Sequence, residues 1–566
     1  MGQNSIKTFI SLPVSRNKNL ELLSRTHLCL GFEFDCDLVA RAQKQRKLDS
    51  EVEKIGAAAA HTSTFVMIGK FASIIFLGLA FIIVARLLGP SQYGIYTLAL
   101  AVASVTGAIG NLGVSTALNK FIPEYVYRKD KRALEDILAN SFFVTLLMGI
   151  LLTAITIALS GFIATDVFHN ASYTLVIEIA AISIISSMLF SASYSTLLGF
   201  NKGAHVAAIN ATQAILQAVL GVTLVLLGLG PAGPILGMIV GYTAAFLLSL
   251  HFIYRKHGLR ILVMPNRASI KRIFGFSVPI AVSNAAVGIS SNMVYIVVGA
   301  YAAAAVIGNL GVASKANSLI DIVSGAISVS LLSMYSTTLA SKKMRAKISN
   351  FYNHTVYYSL ILLAPMLLFI LVLAKPFSYV AFSGAYSMAP LFIAVMSAGA
   401  LVGLAGQYAI TLLTSANKVR DIFKYNLVIA MLTLALIPIL IPTFKGVGLV
   451  IILFVAVPIT TNVLFIWKSA KLFKLGFDNG KLFRILAANA ATMLLITPLI
   501  LLWGANYIPL LITAAVEVIA VYPVMLGILK GINVRDIAVM RTMTRRIPVI
   551  SPAVNFLLAY AARFAR

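Results

Sequence analysis

Long apolar stretches alternate along the chain with short polar segments. The hydrocarbon core of a bilayer is about 30 Å thick, so a helix needs about 20 apolar residues to cross it. This criterion predicts fourteen transmembrane helices, the pattern of an all-α polytopic membrane protein. The predicted spans lie near residues 64–86, 94–118, 138–163, 173–198, 205–229, 232–254, 274–300, 303–334, 355–375, 386–414, 424–443, 446–467, 484–503 and 507–529.

The polar segments divide the chain into six predicted parts. A polar extension precedes the first span, a linker separates the sixth span from the seventh, and a basic tail follows the last. The predicted boundaries are a cytosolic extension at 1–56, spans 1 to 6 at 57–254, a cytosolic linker at 255–273, spans 7 to 12 at 274–468, an extra hairpin at 484–530 and a cytosolic tail at 531–566.

The first twelve spans contain an internal repeat. A shift of 214 to 216 residues places the first six spans on the next six and aligns several short motifs in the same order. Because six is an even number, both copies have the same orientation, and the axis that relates them is predicted to run along the membrane normal. The aligned motifs are Tyr93-Gly94-Ile95 with Ile307-Gly308-Asn309, Asn201-Lys202 with Asn417-Lys418, Asn210 with Asn426, and Gly230 with Gly446.

Composition and charge fit a membrane protein with a defined orientation. Hydrophobic residues make up 60% of the chain and charged residues 11%, and the mean hydropathy is +0.93, which excludes a water-soluble domain. The net charge of +27 comes from Lys and Arg concentrated in alternate loops, as the positive-inside rule requires, so we expect no nucleic-acid partner and both termini in the cytoplasm. The two cysteines, Cys29 and Cys36, supply neither a disulfide framework nor a zinc quartet.

Two motifs carry a family resemblance. The segment ARLLGPSQYGIYTLAL, Ala85–Leu100, resembles the opening signature of the O-antigen-type polysaccharide biosynthesis flippases in the multidrug/oligosaccharidyl-lipid/polysaccharide (MOP) exporter superfamily. The segment IGNLGVASKANSL, Ile307–Leu319, is similar to the family's second-half counterpart, which commonly has Lys or Arg where Lys315 stands. The resemblance extends over residues 64–530, but the Asp-Arg pair that relatives often carry near Asn292–Tyr295 is missing.

The resemblance implies a fold like that of the MATE transporters, with two six-helix lobes and an added helix pair. It also implies a plasma-membrane flippase that moves a polyprenyl-pyrophosphate oligosaccharide from the cytoplasmic to the outer leaflet by alternating access, for surface polysaccharide or glycoprotein glycan assembly. The implied partners are that lipid-linked oligosaccharide, membrane lipids, and a glycan polymerase or oligosaccharyltransferase machinery. An ion-coupled multidrug or cation antiporter is the main alternative.

Three basic residues are candidates for binding the pyrophosphate in a cavity. Lys315 lies deep in the eighth span, where an intramembrane charge usually faces a cavity or a partner. Lys70 lies nearer the inner end of the first span, so its stem also has the length to reach the interface. Arg86 ends the first span, where an interfacial anchor and a contact to the departing pyrophosphate are both open.

Three acids, Asp321, Glu517 and Glu178, are candidates for gating or for H⁺ or Na⁺ coupling. Glu517 lies near the middle of the last span, and the other two lie closer to span ends. The sequence contains no P-loop and no His pair with metal-ligand spacing, so we expect no cofactor, no metal and no catalytic residue. A membrane-embedded glycosyltransferase would need a large loop or an acidic motif outside the bilayer. The sequence therefore favours a transporter over an enzyme.

Overall fold

A computed structural model describes residues 36–110, 113–257, 267–340, 344, 347–444, 457–476, 478–544 and 551–564. The chain forms two compact units, residues 1–61 and residues 62–566. The side chains and contacts described below belong to the second unit. We refer to residues 62–257 as the N-terminal half and to residues 267–473 as the C-terminal half.

All regular structure in the described residues is helical. The helices Lys131–Phe162 and Gly203–Leu224 each continue into a π-helical turn, at Ile163–Val167 and Val225–Leu229, and a single 3₁₀ turn, Ala171–Tyr173, precedes the helix Thr174–Gly199. The helices are α1 (Cys36–Gly110), α2 (Val114–Arg128), α3 (Lys131–Phe162), α4 (Thr174–Gly199), α5 (Gly203–Leu224), α6 (Ala232–His257), α7 (Arg267–Tyr301), α8 (Ala304–Ala340), α9 (Ile348–Val372), α10 (Ala374–Phe382), α11 (Ala389–Ser415), α12 (Val419–Phe444), α13 (Val457–Phe473), α14 (Asn479–Trp503), α15 (Tyr507–Ile528), α16 (Val534–Thr544) and α17 (Ser551–Ala561).

Nine of the described helical segments are long and apolar enough to cross a membrane. This finding supports a multi-pass membrane protein, in which helices satisfy their own backbone hydrogen bonds. One of the nine segments, Phe65–Gly110, covers two predicted spans at once. The predicted spans at 274–300, 303–334, 424–443 and 446–467 fall partly on residues or side chains outside the described part, so the count of fourteen stays a prediction.

The structure joins the first predicted span and most of the second in one helix, α1, with a kink between them. A tight connection was expected at 86–94, and the helical geometry breaks there at Gly89, whose φ of 68° and ψ of 176° suit glycine. Pro90 follows, and its missing N–H makes it compatible with the start of the next helical segment. The predicted second span also ends early, because Gly113 takes a left-handed conformation with φ 73° just before α2.

Short-range caps begin the helices at the polar ends of two spans. The carboxylate of Asp130 accepts a hydrogen bond from the Ala133 N–H at 3.0 Å at the start of α3. The carboxylate of Asp478 accepts one from the Lys481 N–H, also at 3.0 Å, at the start of α14. Each carboxylate pairs with a backbone amide that has no partner within the first helical turn. The two helices therefore begin directly after these acids, at the polar ends of their apolar stretches.

The two halves meet where α1 and α8 cross. A Cβ atom built on Gly94 would lie 1.8 Å from the carbonyl oxygen of Ala304, and one built on Gly308 would lie 1.9 Å from the carbonyl oxygen of Pro90. Only glycine permits an approach this close. The contact is reciprocal, because Gly94 and Gly308 are 214 residues apart and so are Pro90 and Ala304, which is the offset found in the sequence repeat. We call these four residues the glycine crossing.

Aromatic side chains and a hydrogen bond between the halves lie next to the glycine crossing. The rings of Phe81, Tyr93, Phe382 and Tyr386 contact one another across the two halves, with centroids 5.6 to 6.4 Å apart. The Tyr386 hydroxyl also donates to the carbonyl oxygen of Ala85 at 2.7 Å. This end of the helix bundle is therefore closed by side chains from both halves.

A polar cluster anchors the C-terminal segment after the last predicted span. The Lys481 ammonium lies 2.8 Å from the carboxylate of Asp536, and both side chains are largely buried. The Tyr358 hydroxyl donates to the same carboxylate at 3.0 Å, and the Asn533 N–H donates to it at 3.1 Å. Burial raises the pKa of Asp536, but these hydrogen bonds and the charge of Lys481 outweigh it and hold that pKa below its ordinary value of 3.8.

Candidate functional site

A cavity of about 570 Å³ lies between the two halves, next to the glycine crossing. Its walls come from α1 in the N-terminal half and from α7, α8, α12 and α13 in the C-terminal half. The lining residues are Tyr93, Tyr96, Thr97, Leu100, Ala101, Ser104, Ser291, Asn292, Val294, Tyr295, Gly311, Ser314, Lys315, Asn426, Ile429 and Val457.

The wall from the N-terminal half is one face of α1. Its six lining residues, from Tyr93 to Ser104, recur at intervals of one, three and four, which is the spacing of a single helix face. Tyr93 is buried and packs on Tyr96 with ring centroids 5.3 Å apart, and the Thr97 hydroxyl donates to the Tyr93 carbonyl oxygen at 2.8 Å. Ser104 is exposed to the cavity. This wall offers aromatic rings and hydroxyl groups and carries no charged residue.

The lining from the C-terminal half carries Lys315. This residue lies on α8 eleven positions after Ala304, and its side chain is exposed to the cavity. Ser314 precedes it and lines the cavity together with Tyr295 of α7, and Asn426 reaches the cavity from α12. Lys315 is the one charged side chain among the described lining residues, and none of the ion pairs between described residues includes it.

The arrangement suits an anionic ligand with polar, uncharged parts. An ammonium group inside a membrane protein costs about 2.5 to 3.5 kcal/mol on insertion scales, so it is usually kept where water or a ligand reaches it. Lys315 has no carboxylate partner among the described side chains, so its three N–H donors remain for a ligand. Hydroxyl and amide groups around it supply further donors and acceptors.

The other two predicted pyrophosphate ligands lie away from this cavity. The Arg86 guanidinium donates from Nε to the carbonyl oxygen of Ala381 at 2.7 Å and from Nη2 to that of Val380. These carbonyls end α10, where a positive charge complements the helix dipole, so Arg86 ties the two halves together. Lys70 is exposed on α1 and is not among the lining residues. A role for either residue in binding pyrophosphate stays a prediction.

The three acidic candidates are not brought together. Glu178 is half-buried within the N-terminal half and accepts a hydrogen bond from the Ser160 hydroxyl at 3.2 Å. Glu517 lies on α15, where its Oε2 is buried and has no hydrogen-bond partner among the described residues. Asp321 lies on α8, and its side chain is outside the described part of the chain. Among the described residues no cluster of acids, His and Cys has the geometry of a metal site.

Sequence reasoning missed the tyrosines of the site. Tyr93 and Tyr96 stand inside the first family-like motif, and Tyr295 lies where relatives often have a charged pair. Their spacing of three on α1 was visible in the sequence. What the sequence did not show is which face of α1 turns toward α8, because both faces of that helix are apolar.

A family model described as polysaccharide biosynthesis protein matches residues 83–390 of the chain. Those residues include the glycine crossing, Lys315 and all of the lining residues except those of α12 and α13. No curated protein sequence matches the chain.

Several solved structures share the fold. The lipid II flippase MurJ in an inward closed conformation is 15% identical, with a TM-score of 0.66 over 82% of this chain and 98% of that chain. An inward-facing multidrug resistance MATE family transporter of the MOP superfamily is 13% identical, with a TM-score of 0.60 over 72% and 98%. The Vibrio cholerae MATE transporter VcmN is 12% identical, with a TM-score of 0.51 over 75% and 97%. At these identities the likeness is one of fold.

Proposed function

The chain belongs to the polysaccharide biosynthesis protein family and has the fold of the MOP superfamily, and we propose that it flips a lipid-linked oligosaccharide across the membrane. The proposed substrate is a polyprenyl-pyrophosphate oligosaccharide that passes from the cytoplasmic to the outer leaflet of the plasma membrane. The product would serve a glycan polymerase or an oligosaccharyltransferase. An H⁺ or Na⁺ gradient, or consumption of the product outside, would drive the transport.

One observation carries this proposal, namely that Lys315 lines a cavity between the two halves. A flippase must give a charged, hydrated head group a polar path, and the lipid tail can stay in the bilayer. Lys315 supplies a cation for the pyrophosphate, and the tyrosine and hydroxyl groups of α1 supply a surface for sugars. The cavity therefore has the chemistry that such a head group requires.

We further propose that fourteen spans form two six-helix lobes and an extra pair, with both termini in the cytoplasm. In this arrangement the lobes rock about the pseudo-two-fold axis. The glycine crossing and the aromatic contacts would close the outer side, since the predicted connections at 86–94 and 300–303 lie there. The two reciprocal contacts of the glycine crossing, which the 214-residue offset relates to each other, support this arrangement. Release of the head group to the outside would require these contacts to separate.

An ion-coupled drug antiporter is the second candidate, because MATE transporters share the fold. Such an antiporter binds cations, and we would expect acids in its cavity. The charged side chain among the described lining residues is instead a lysine, which repels a cationic drug. The cavity chemistry therefore favours the flippase over the antiporter.

The proposal is tested in liposomes that contain the purified protein and a labelled polyprenyl-pyrophosphate oligosaccharide. Translocation is read as protection of the labelled lipid from a modifying enzyme added outside. We expect transport by the wild type and a loss of about ten-fold or more in Lys315→Met, because a charge-assisted contact to phosphate is removed. Lys375→Met is the matched control, since Lys375 is an exposed lysine of α10 outside the cavity.

Two results would contradict the proposal. One is equal transport by Lys315→Met and the wild type, with both proteins folded and inserted to the same extent. The other is no transport of lipid-linked sugar by the wild type together with exchange of a cationic dye for protons. The second result would establish the antiporter, and Glu517, Asp321 and Glu178 would become the residues to test.

A further inference from the structure

We propose that the cavity binds its head group in one orientation and selects uncharged sugars. The phosphate end would lie against Lys315 on the C-terminal half, and the sugars would lie against the α1 wall of the N-terminal half. This inference rests on the proposed flippase function and specifies the chemical class of glycan that the flippase accepts.

The position of the charge fixes the anionic end of the ligand. Lys315, Ser314 and Asn426 lie on the same wall, from α8 and α12, and together offer an ammonium, a hydroxyl and an amide. A phosphate group is recognised by this combination of donors. The α1 wall has no residue that could compete for the phosphate by charge.

The α1 wall has the groups that bind neutral sugars. Tyr96 presents aromatic surface, and Thr97 and Ser104 present hydroxyls. Sugar hydroxyls pair with polar side chains of this kind, and the apolar faces of sugar rings pack on aromatic rings. Pockets usually combine apolar walls with a few placed polar groups, and this wall has both.

Lys315 is the one charged side chain among the described lining residues, so a phosphate bound to it would leave no second positive charge for an acidic sugar. A uronate carboxylate would leave water and face tyrosine rings and hydroxyls, and a charge taken from water without a partner is costly. The asymmetry lies in the side chains and not in the backbone. Ala101 and Lys315 are 214 residues apart and line the same cavity, yet only one of them is charged.

The test compares two labelled substrates in the liposome assay. Both are polyprenyl-pyrophosphate trisaccharides, and they differ only in a terminal sugar that is either neutral or a uronic acid. We expect the wild type to move the neutral substrate about ten-fold faster than the acidic one. The variant Ser104→Lys adds a cation to the α1 wall at an exposed position, so it should reduce that ratio about five-fold or more. Ser104→Gln, the uncharged change at the same position, measures the effect of losing the hydroxyl, and the ratio should fall further in Ser104→Lys than in Ser104→Gln.

The outcomes separate this inference from the flippase itself. If the wild type moves both substrates at equal rates, or prefers the uronate, the inference is overturned and the flippase stands. If the wild type moves neither, the proposed function fails and the inference fails with it. A ratio that Ser104→Lys and Ser104→Gln change equally would also overturn the inference. If Ser104→Lys fails to fold, the ratio of the two transport rates in the wild type is by itself the test of the inference.

Discussion

The glycine crossing and the cavity use the same two helices in opposite ways. At the crossing, residues 214 apart have equivalent roles, because Gly94 packs on Ala304 just as Gly308 packs on Pro90. In the cavity, a few turns along α1 and α8, the residues at that same offset are Ala101 and Lys315, which differ in charge. The crossing is symmetric in its contacts, and the cavity is asymmetric in its chemistry.

The difference separates what the backbone requires from what a ligand requires. A helix backbone that packs against a carbonyl oxygen of its neighbour leaves no room for a Cβ atom, so glycine is needed at both Gly94 and Gly308. A cavity wall imposes no such limit, and each half can carry its own side chains. We infer that the crossing governs how the halves meet and that the cavity governs what is bound.

The largest expected effect comes from breaking the crossing. In Gly94→Ala the new methyl group would overlap the carbonyl oxygen of Ala304, so the helices must separate. We expect a loss of about 3 kcal/mol in stability, which is the upper end for overpacking, together with loss of transport. Thermal unfolding in detergent and the liposome assay measure both.

Gly78→Ala is the matched control for this substitution. Gly78 lies in the same helix α1, and a Cβ atom built on it meets no atom within 4 Å. We expect unchanged or slightly raised stability, by up to about 1 kcal/mol, because alanine favours helix over glycine. Similar losses in Gly94→Ala and Gly78→Ala would contradict the assigned contact at the crossing.

A smaller effect is expected at the polar cluster, which belongs to neither region. Asp536→Asn removes the ion pair with Lys481, and we expect a loss of about 2 kcal/mol near neutral pH. Because the Asp536 pKa is held below its ordinary value of 3.8, its stabilisation is fully present above that value. The stabilisation is lost as the pH falls through the lowered pKa of the folded protein.

The stability difference between the wild type and Asp536→Asn should therefore be constant above pH about 5 and shrink below pH about 4. Unfolding in detergent across this pH range measures it. A difference that grows on acidification would show that the ion pair does not stabilise the C-terminal segment. If Asp536→Asn lowers stability and leaves substrate selectivity unchanged, the polar cluster anchors the C-terminal segment and the cavity alone governs what is bound.

The smallest effect is expected from Tyr386→Phe at the closed end. This change removes the hydrogen bond to the Ala85 carbonyl oxygen and keeps the ring in place, so we expect a loss of about 1 kcal/mol. Tyr379→Phe is the control, since Tyr379 is 53% exposed. Equal melting temperatures for the two variants would argue against this bond between the halves.

The sequence predicted the helical class and the family, since these depend on apolar length and motif, and its charge pattern singled out Lys315, which lines the cavity. It also predicted the offset that relates Gly94 to Gly308. It did not show that these two glycines touch each other, because a repeat gives equivalence and not contact. It did not separate the two roles open to Arg86, whose partners lie about 290 residues away in α10.

The most direct test of the asymmetric cavity is a binding measurement on wild type and Lys315→Met in lipid nanodiscs. Two ligands are compared, a polyprenyl-pyrophosphate oligosaccharide and the same lipid-linked glycan without phosphate. We expect Lys315→Met to weaken binding of the first about ten-fold or more and to leave binding of the second unchanged. Equal affinity of both proteins for the phosphorylated ligand, or equal weakening for both ligands, would contradict the assignment of Lys315 to the anionic end.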